Sequence, residues 1–195
     1  MLSHGAGSDC RAPLLVAVAT RFCDAGLQVL RCDLPFRQLH PHGPPPRGSA
    51  EQDRAGLLRA VEAMRQQVHG RIYLGGHSYG GRQSSILAAS DPGLVEGLLL
   101  LSYPLHPPKR PEQLRIDHFP GLRTPALFVH GTRDGFGSLE ELTESLKLIP
   151  AVTELLPVMG AGHDLLTSRN REELALLVVN RFQSLVARHI TPAAS

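Results

Sequence analysis

The chain has almost no lysine. Lys109 and Lys147 are the only two, and arginine supplies the other side-chain cations. Acids and bases are mixed along 195 residues with a formal net charge of +2, so no basic stripe forms. That argues against a dedicated nucleic-acid binder. Cysteine is scarce as well. Cys10, Cys23 and Cys32 are odd in number and follow no framework spacing, which fits a reducing compartment rather than a disulfide-stapled secreted domain. No apolar run approaches membrane-spanning length, and "LLLL" at 98–101 is strand-sized. The opening "MLSHGAGSDCR" lacks the basic start and apolar run of a secretory signal. Internal repeats are absent. These absences lead to the expectation of a soluble, cytoplasmic, single-domain protein over residues 1–195. Its length suffices to bury a core without disulfides or metals.

What is present is an alternation of short apolar runs and amphipathic stretches. Strands are expected at 27–34, 71–76, 95–103, 124–131 and 153–160. Ser49 with Gln52 reads as a capping box for a helix that carries Leu57, Leu58, Val61, Met64 and Val68 on one face. A second helix is expected from about Gly80 to Ser90, and a third from Ser138, capped with Glu141, to about Leu148. The last begins near Arg171, with Leu174, Leu177, Val178, Phe182, Leu185 and Val186 inward. The proline-rich stretch 102–121 has no period and reads as a long loop. Strand alternating with helix predicts an α/β fold: a mostly parallel, doubly wound sheet of about six strands covered on both faces. In such folds chemistry sits just beyond the carboxyl ends of the strands.

Three apolar runs are followed by residues with chemistry. After "RIYLG" comes Gly76-His77-Ser78-Tyr79-Gly80, a G-x-S-x-G pattern between a strand and a helix. The three fixed positions arise by chance about once in a few thousand positions. The strand before and the helix after them are the stronger signal, because a nucleophile elbow needs both. A phosphate-binding turn would need G-x-G-x-x-G or a lysine after the turn, and neither is there. After "ALFVHG" comes Asp134, and after "LLPVMG" comes His163. Alone, each reads as turn chemistry or structure. Together they give Ser78, Asp134 and His163 in the chain order of a hydrolase triad. "HGAG" at 4–7 is a His-Gly turn before a helix; its Ala6 N–H, or Gly7 N–H, can serve an oxyanion hole beside that of Tyr79.

Other residues are weighed with them. His77 is expected to pack beneath the elbow. Tyr103, Leu105 and His106 follow a strand at the same sheet edge and read either as pocket lining or as structure. Arg82 reads as an ion pair or loop anchor. His40 and His42 read as a polar loop, since no cysteine or carboxylate ligand set lies near them. No metal site is assigned.

"HGAG" at 4–7, "LRCDLPFR" at 30–37, "GGHSYGGR" at 75–82, "SYPLHPP" at 102–108, "GTRDGFG" at 131–137 and "GAGHDL" at 160–165 together resemble the α/β-hydrolase superfamily. The resemblance is to its small dienelactone-hydrolase-like group. More narrowly, it is to a branch of small bacterial hydrolases related to a testis-expressed mammalian protein and a regulatory subunit of the non-specific-lethal histone acetyltransferase complex. "SYPLHPP" is the most branch-specific piece. The resemblance implies a serine-hydrolase triad of Ser78, Asp134 and His163 and no cofactor, but no particular substrate; a small-molecule acyl substrate is the expectation from the triad chemistry. Some eukaryotic relatives act as complex subunits, so a catalytically silent interaction module is the alternative. In the superfamily further strands precede the "HG" turn, whereas only Met1, Leu2 and Ser3 precede His4 here. The expected first strand is therefore a stub, or the chain lacks an N-terminal segment.

Overall fold

A computed structural model describes residues 1–167 and 170–189. Six strands form one sheet: β1 (Leu2–Ser3), β2 (Arg31–Cys32), β3 (Tyr73–His77), β4 (Gly97–Leu101), β5 (Ala126–Gly131) and β6 (Thr153–Val158). Their order is β2-β1-β3-β4-β5-β6, and every pairing is parallel. Six helices connect them: α1 (Pro13–Asp24), α2 (Pro35–Leu39), α3 (Ser49–Gln67), α4 (Tyr79–Ser90), α5 (Leu139–Leu146) and α6 (Arg171–His189). The architecture is the parallel, doubly wound α/β sheet of six strands that the alternation of elements predicts.

β4 explains the layering. All its residues are buried, and they alternate between two cores. Leu98 and Leu100 pack with Leu57 and Val61 of α3 and Leu87 of α4. Leu99 and Leu101 pack on the other face with Leu15 and Phe22 of α1 and Phe182 of α6. A strand with helices on both faces needs no polar face. The chain winds from β1 outward to β2, then crosses back to β3. The sheet's switch in direction therefore lies between β1 and β3, where a doubly wound sheet opens a crevice.

Several local expectations shift. The strand expected over 27–34 shortens to Arg31–Cys32, because β1 offers only Leu2 and Ser3 as partners. The capping box of Ser49 and Gln52 does not form. Gly48 is the N-cap, and the Ser49 hydroxyl instead donates to Asp53 Oδ2 at 3.3 Å. Ser138 and Glu141 do form theirs, at 3.1 and 2.7 Å. Leu177 is exposed on α6, and Ala175 and Val179 take the inward positions beside Val178. α2, with a proline in its first turn, forms inside the segment between β2 and α3.

A cavity of about 520 Å³ opens beside Met1, between Val29 on one side and Ile72 and Tyr73 on the other. Phe22, Met64 and Phe182 close its walls. Met1 is part of its lining, and the Met1 ammonium donates to Tyr73 O at 2.6 Å. Burial pushes this amine down from 8.0 to about 6. The folded state thus disfavours its charged form. Its contribution to stability is complete above about pH 8 and is lost as pH falls toward about 6. Urea unfolding is therefore expected to show stability rising by about 2 kcal/mol between those pH values. Adding two apolar residues before Met1 moves the charge off this position and lays side chains in the cavity. That variant is expected to melt higher and to lose the slope; an unchanged slope contradicts the account.

Candidate active site

Ser78 joins β3 to α4. It is the N-cap of α4 and holds φ 51° and ψ −114°, a conformation worth about 1–3 kcal/mol of strain for a residue with a Cβ. Such a turn brings strand and helix backbones into contact. A Cβ at Gly76 would stand 2.4 Å from Ser3 O, and one at Gly80 would stand 2.6 Å from His4 O. The glycines are therefore there for close approach, and the surface they approach is the β1 stub. Gly80 N–H donates to His4 O at 3.1 Å, and Ser78 N–H to Leu101 O at 2.8 Å.

Asp134 follows β5 and His163 follows β6. The two loops are tied together by Thr132 N–H to Val158 O at 3.1 Å and Arg133 N–H to Ala161 O at 2.9 Å. Across them runs a hydrogen-bonded chain. His163 Nδ1 stands 2.8 and 3.0 Å from the two Asp134 carboxylate oxygens, and His163 Nε2 stands 2.7 Å from Ser78 Oγ. A carboxylate only accepts, so Nδ1 carries the proton and Nε2 faces the serine hydroxyl as an acceptor. The Asp134 side chain is fully buried, while that of His163 is 22 % exposed. Burial alone would raise the Asp134 pKa. Hydrogen bonds from His163 and Phe136 N–H, with the His163 and His130 charges, outweigh it and hold the carboxyl below its usual value.

His163 is held from both sides. The Phe136 ring stacks on it with centroids 4.1 Å apart. On the other side His77 Nε2–H donates to the His163 carbonyl at 2.9 Å. His77 is thus a flank of the His163 loop, not merely packing beneath the elbow. Burial keeps its pKa below the usual imidazole value.

The "HGAG" turn lies across the elbow from this chain. His4 is fully buried, accepts Leu34 N–H at Nε2 (3.0 Å) and donates from Nδ1 to Gly5 O (2.8 Å). Ser8 N–H also donates to Gly5 O, at 3.2 Å. With the Gly5 carbonyl so held, the trans peptide turns the Ala6 N–H the other way. Among the described residues, the N–H groups of Ala6 and Tyr79 meet no acceptor. Two free amides at these positions are what an oxyanion site needs.

Two residues that brace this region carry no pattern in the sequence. Arg37 is buried and donates to four carbonyls: Ala6 (2.8 Å), Ser8 (3.0 Å), His40 (3.0 Å) and Gly43 (2.9 Å). It pins the Ala6 turn to the loop after α2. Asp53 is fully buried on α3 and accepts from Tyr79 Oη at 2.7 Å and Phe36 N–H at 2.9 Å. The Tyr79 side chain is thereby drawn away from the serine, and burial with the Asp53 contact pushes its phenol above the usual range. Only "LRCDLPFR" hints at Arg37, and nothing local marks Asp53.

Of the residues open between pocket and structure, Tyr103 falls to structure. It is 1 % exposed, its ring packs against Phe119 and Phe128, and its hydroxyl donates to Arg115 O at 2.5 Å. Leu105 is buried against Gly137. His106 is buried too; its N–H donates to Phe136 O at 3.0 Å, and Nε2 reaches Glu141 at 3.5 Å. Leu105 and His106 support the Asp134 loop, and all three residues are buried. His40 and His42 are exposed on their loop, and no cluster of three metal-binding side chains forms among the described residues. Arg82 enters no ion pair among the described residues.

Replacing Arg37 by Gln strips donors from buried carbonyls. A loss of about 2–4 kcal/mol in urea unfolding is expected, and a loss under about 0.5 kcal/mol contradicts the bracing role.

Comparison with known proteins agrees with this geometry. A family model described as "Alpha/beta hydrolase domain" matches residues 1–191. Among solved structures, Est1E from Butyrivibrio proteoclasticus, with ferulic acid bound, superposes with a TM-score of 0.77 at 18 % identity. That match covers 95 % of this chain and 88 % of Est1E. A dienelactone hydrolase from Anabaena variabilis gives 0.71 at 20 % identity, over 94 % and 83 % of the two chains. A monoacylglycerol lipase from Paleococcus ferrophilus gives 0.74 at 16 % identity, over 95 % and 93 %. A strand–Ser78–helix elbow, a sheet of this order and a match over nearly the full length lead to one conclusion: the chain belongs to the α/β-hydrolase domain family.

Proposed function

We propose that this protein is a serine hydrolase that cleaves a small acyl ester or thioester through an acyl-enzyme. The observation that carries the reading is the unbroken hydrogen-bonded chain from Ser78 through His163 to Asp134. His163 takes the Ser78 proton as the Ser78 Oγ–carbon bond forms. The carbonyl electron pair moves onto oxygen, which the N–H groups of Ala6 and Tyr79 receive. His163 then gives its proton to the departing oxygen or sulfur as the bond to carbon breaks. Water repeats the cycle on the acyl-enzyme and releases the acid. Asp134 holds the His163 tautomer and stabilises the imidazolium. The reading calls for no cofactor.

Domain and location follow the same reading: one hydrolase domain spans residues 1–195, and it works in the cytoplasm. No helix among the described residues is long and apolar enough to cross a membrane. The narrower kinship, to the branch that includes complex subunits, rests on "SYPLHPP" and is part of this proposal. A silent interaction module has no need of the assembled triad geometry, which therefore favours the enzyme.

Fluorophosphonate labelling tests the reading. Wild type is expected to label, and Ser78→Ala is expected to stay folded by circular dichroism and not label. Asp134→Asn is expected to lower ester turnover by about 10³–10⁴-fold. A folded wild type that does not label overturns the enzyme reading in favour of the interaction module.

A further inference from the structure

Arg82, one helical turn from the nucleophile, and Arg115, in the loop after β4, enter no ion pair among the described residues. Arg82 sits one helical turn from Ser78, its N–H donating to Ser78 O at 2.9 Å. Arg115 lies in the loop after β4. The root of that loop is adjacent to the serine, because Leu101 O accepts Ser78 N–H. The two arginines meet around Tyr103, whose hydroxyl donates to Arg115 O and whose ring lies 6.4 Å from that of His118. His118 in turn shares a 2.8 Å hydrogen bond with Ser85, whose hydroxyl also donates to Arg82 O at 2.9 Å.

A guanidinium stays charged and carries five donors. Here the donors are only partly used, with the Arg82 guanidinium directed at the Tyr103 hydroxyl. Arg82 Nε is sealed from solvent and has no hydrogen-bond partner. The Arg115 side chain makes one long contact, to Pro104 O at 3.5 Å. Ion pairs among the described residues engage Arg21, Lys147, Arg181, Arg188 and four histidines, and neither Arg82 nor Arg115. Asp117 acts on His118 and favours its charged form, but is outweighed there. Burial, then the Arg82 charge, push His118 down to about 4, so it adds no charge. Burial and the charge of Arg82 likewise push Arg115 below its usual value. Both arginines remain partly open to solvent. Two like charges, half buried and unpaired, are unfavourable until an anion joins them, and an oxyanion fits a guanidinium fork in bidentate fashion.

We propose that Arg82 and Arg115 form an anion subsite of the Ser78 active site, and that the substrate is an ester carrying a carboxylate or phosphate group. The proposal rests on the hydrolase reading for its reaction, but its binding half can be tested without turnover.

The experiment compares two esters of equal length, p-nitrophenyl hemiglutarate and p-nitrophenyl pentanoate. Wild type is expected to favour the anionic ester in kcat/KM by about tenfold or more, counted after correction for background hydrolysis. The preference is expected to shrink as salt rises from about 20 mM to about 500 mM, since salt screens the attraction. Arg115→Gln and Arg82→Gln are each expected to collapse it. If Arg82→Gln does not fold, Arg115→Gln, in a loop, still decides. In parallel, glutarate and inorganic phosphate are titrated calorimetrically into Ser78→Ala and into Ser78→Ala with Arg115→Gln. Binding that Arg115→Gln abolishes supports the subsite even where no ester is turned over, which would sink only the hydrolase reading. A labelled, active wild type with no anionic preference and no anion binding overturns the subsite and leaves the hydrolase reading standing. Phosphate that binds and changes pentanoate turnover, with no preference between the esters, also overturns it: the anion would then be a free effector.

Discussion

The site depends on one close approach. The β1 stub, only two residues long, is pressed against the turn that carries Ser78. Its carbonyl side leaves no room for a Cβ at Gly76 or Gly80, and His4 O receives the first amide of the α4 turn that faces it. Leu2 is paired on both sides, to Arg31 and to Gly75, so the stub is fixed in register despite its length. The turn that offers Ala6 leaves the end of this stub, and the nucleophile leaves the end of the neighbouring strand. The distance between Ser78 and the N–H groups proposed to receive an oxyanion is thus set by backbone packing between adjacent parallel strands. A small shift of β1 would move the Ala6 turn relative to Ser78, which is why Arg37 and His4 both spend their hydrogen bonds on that turn.

The electrostatics of the region follow from burial. His4, His77 and His118 are all pushed toward the neutral form, and in each case burial is the largest cause. Neutral imidazoles can act as oriented donors without competing for the buried carboxylate. Asp134 is thereby left as the acid to which the His163 N–H is directed, and it is the group whose ionised form the surroundings favour. Charge and geometry point the same way, as preorganised sites require. His130 is the untidy member. Its Nε2 donates to Gly137 O at 2.8 Å, while Nδ1 is buried without a partner.

The fold was legible, and so were the positions that form the hydrogen-bonded chain Ser78–His163–Asp134, because each is announced by a short-range pattern. β4 is apolar throughout since helices cover both faces, and Gly76-x-Ser78-x-Gly80 is spaced by the sterics of a single turn. Asp134 and His163 stood out by following strands in order. What was not legible is long-range. Asp53 bonds Tyr79 across 26 positions, and Arg37 bonds Ala6 across 31, with no period to betray either. The cap at Ser49 failed for a local reason: Gly48 takes the N-cap position, and the Ser49 hydroxyl donates to Asp53 one turn on in the same helix. Tyr103 stood open between pocket and structure, since a residue just after a strand can point either into the site or into the core. The ring cluster of Phe119 and Phe128 decides it.

That burial also bears on how the site selects. The loop after β4 contains six prolines and no α-helix, yet it is not free to fold over the serine as a mobile lid. Tyr103 and Leu105 anchor its first turn in the core, and Tyr103 Oη and Leu105 O are tied to Arg115 ten or more residues later. A loop pinned at both ends presents its side chains from a fixed position. Selectivity in such a site must come from fixed groups at the rim rather than from closure over the substrate. Arg82 and Arg115, which enter no ion pair among the described residues, belong to that rigid set: one rides on the helix that Ser78 caps, the other on the pinned loop. Holding charged groups apart from their counter-ions costs stability in the empty protein. That cost is recovered on binding only by a ligand that brings the missing negative charge.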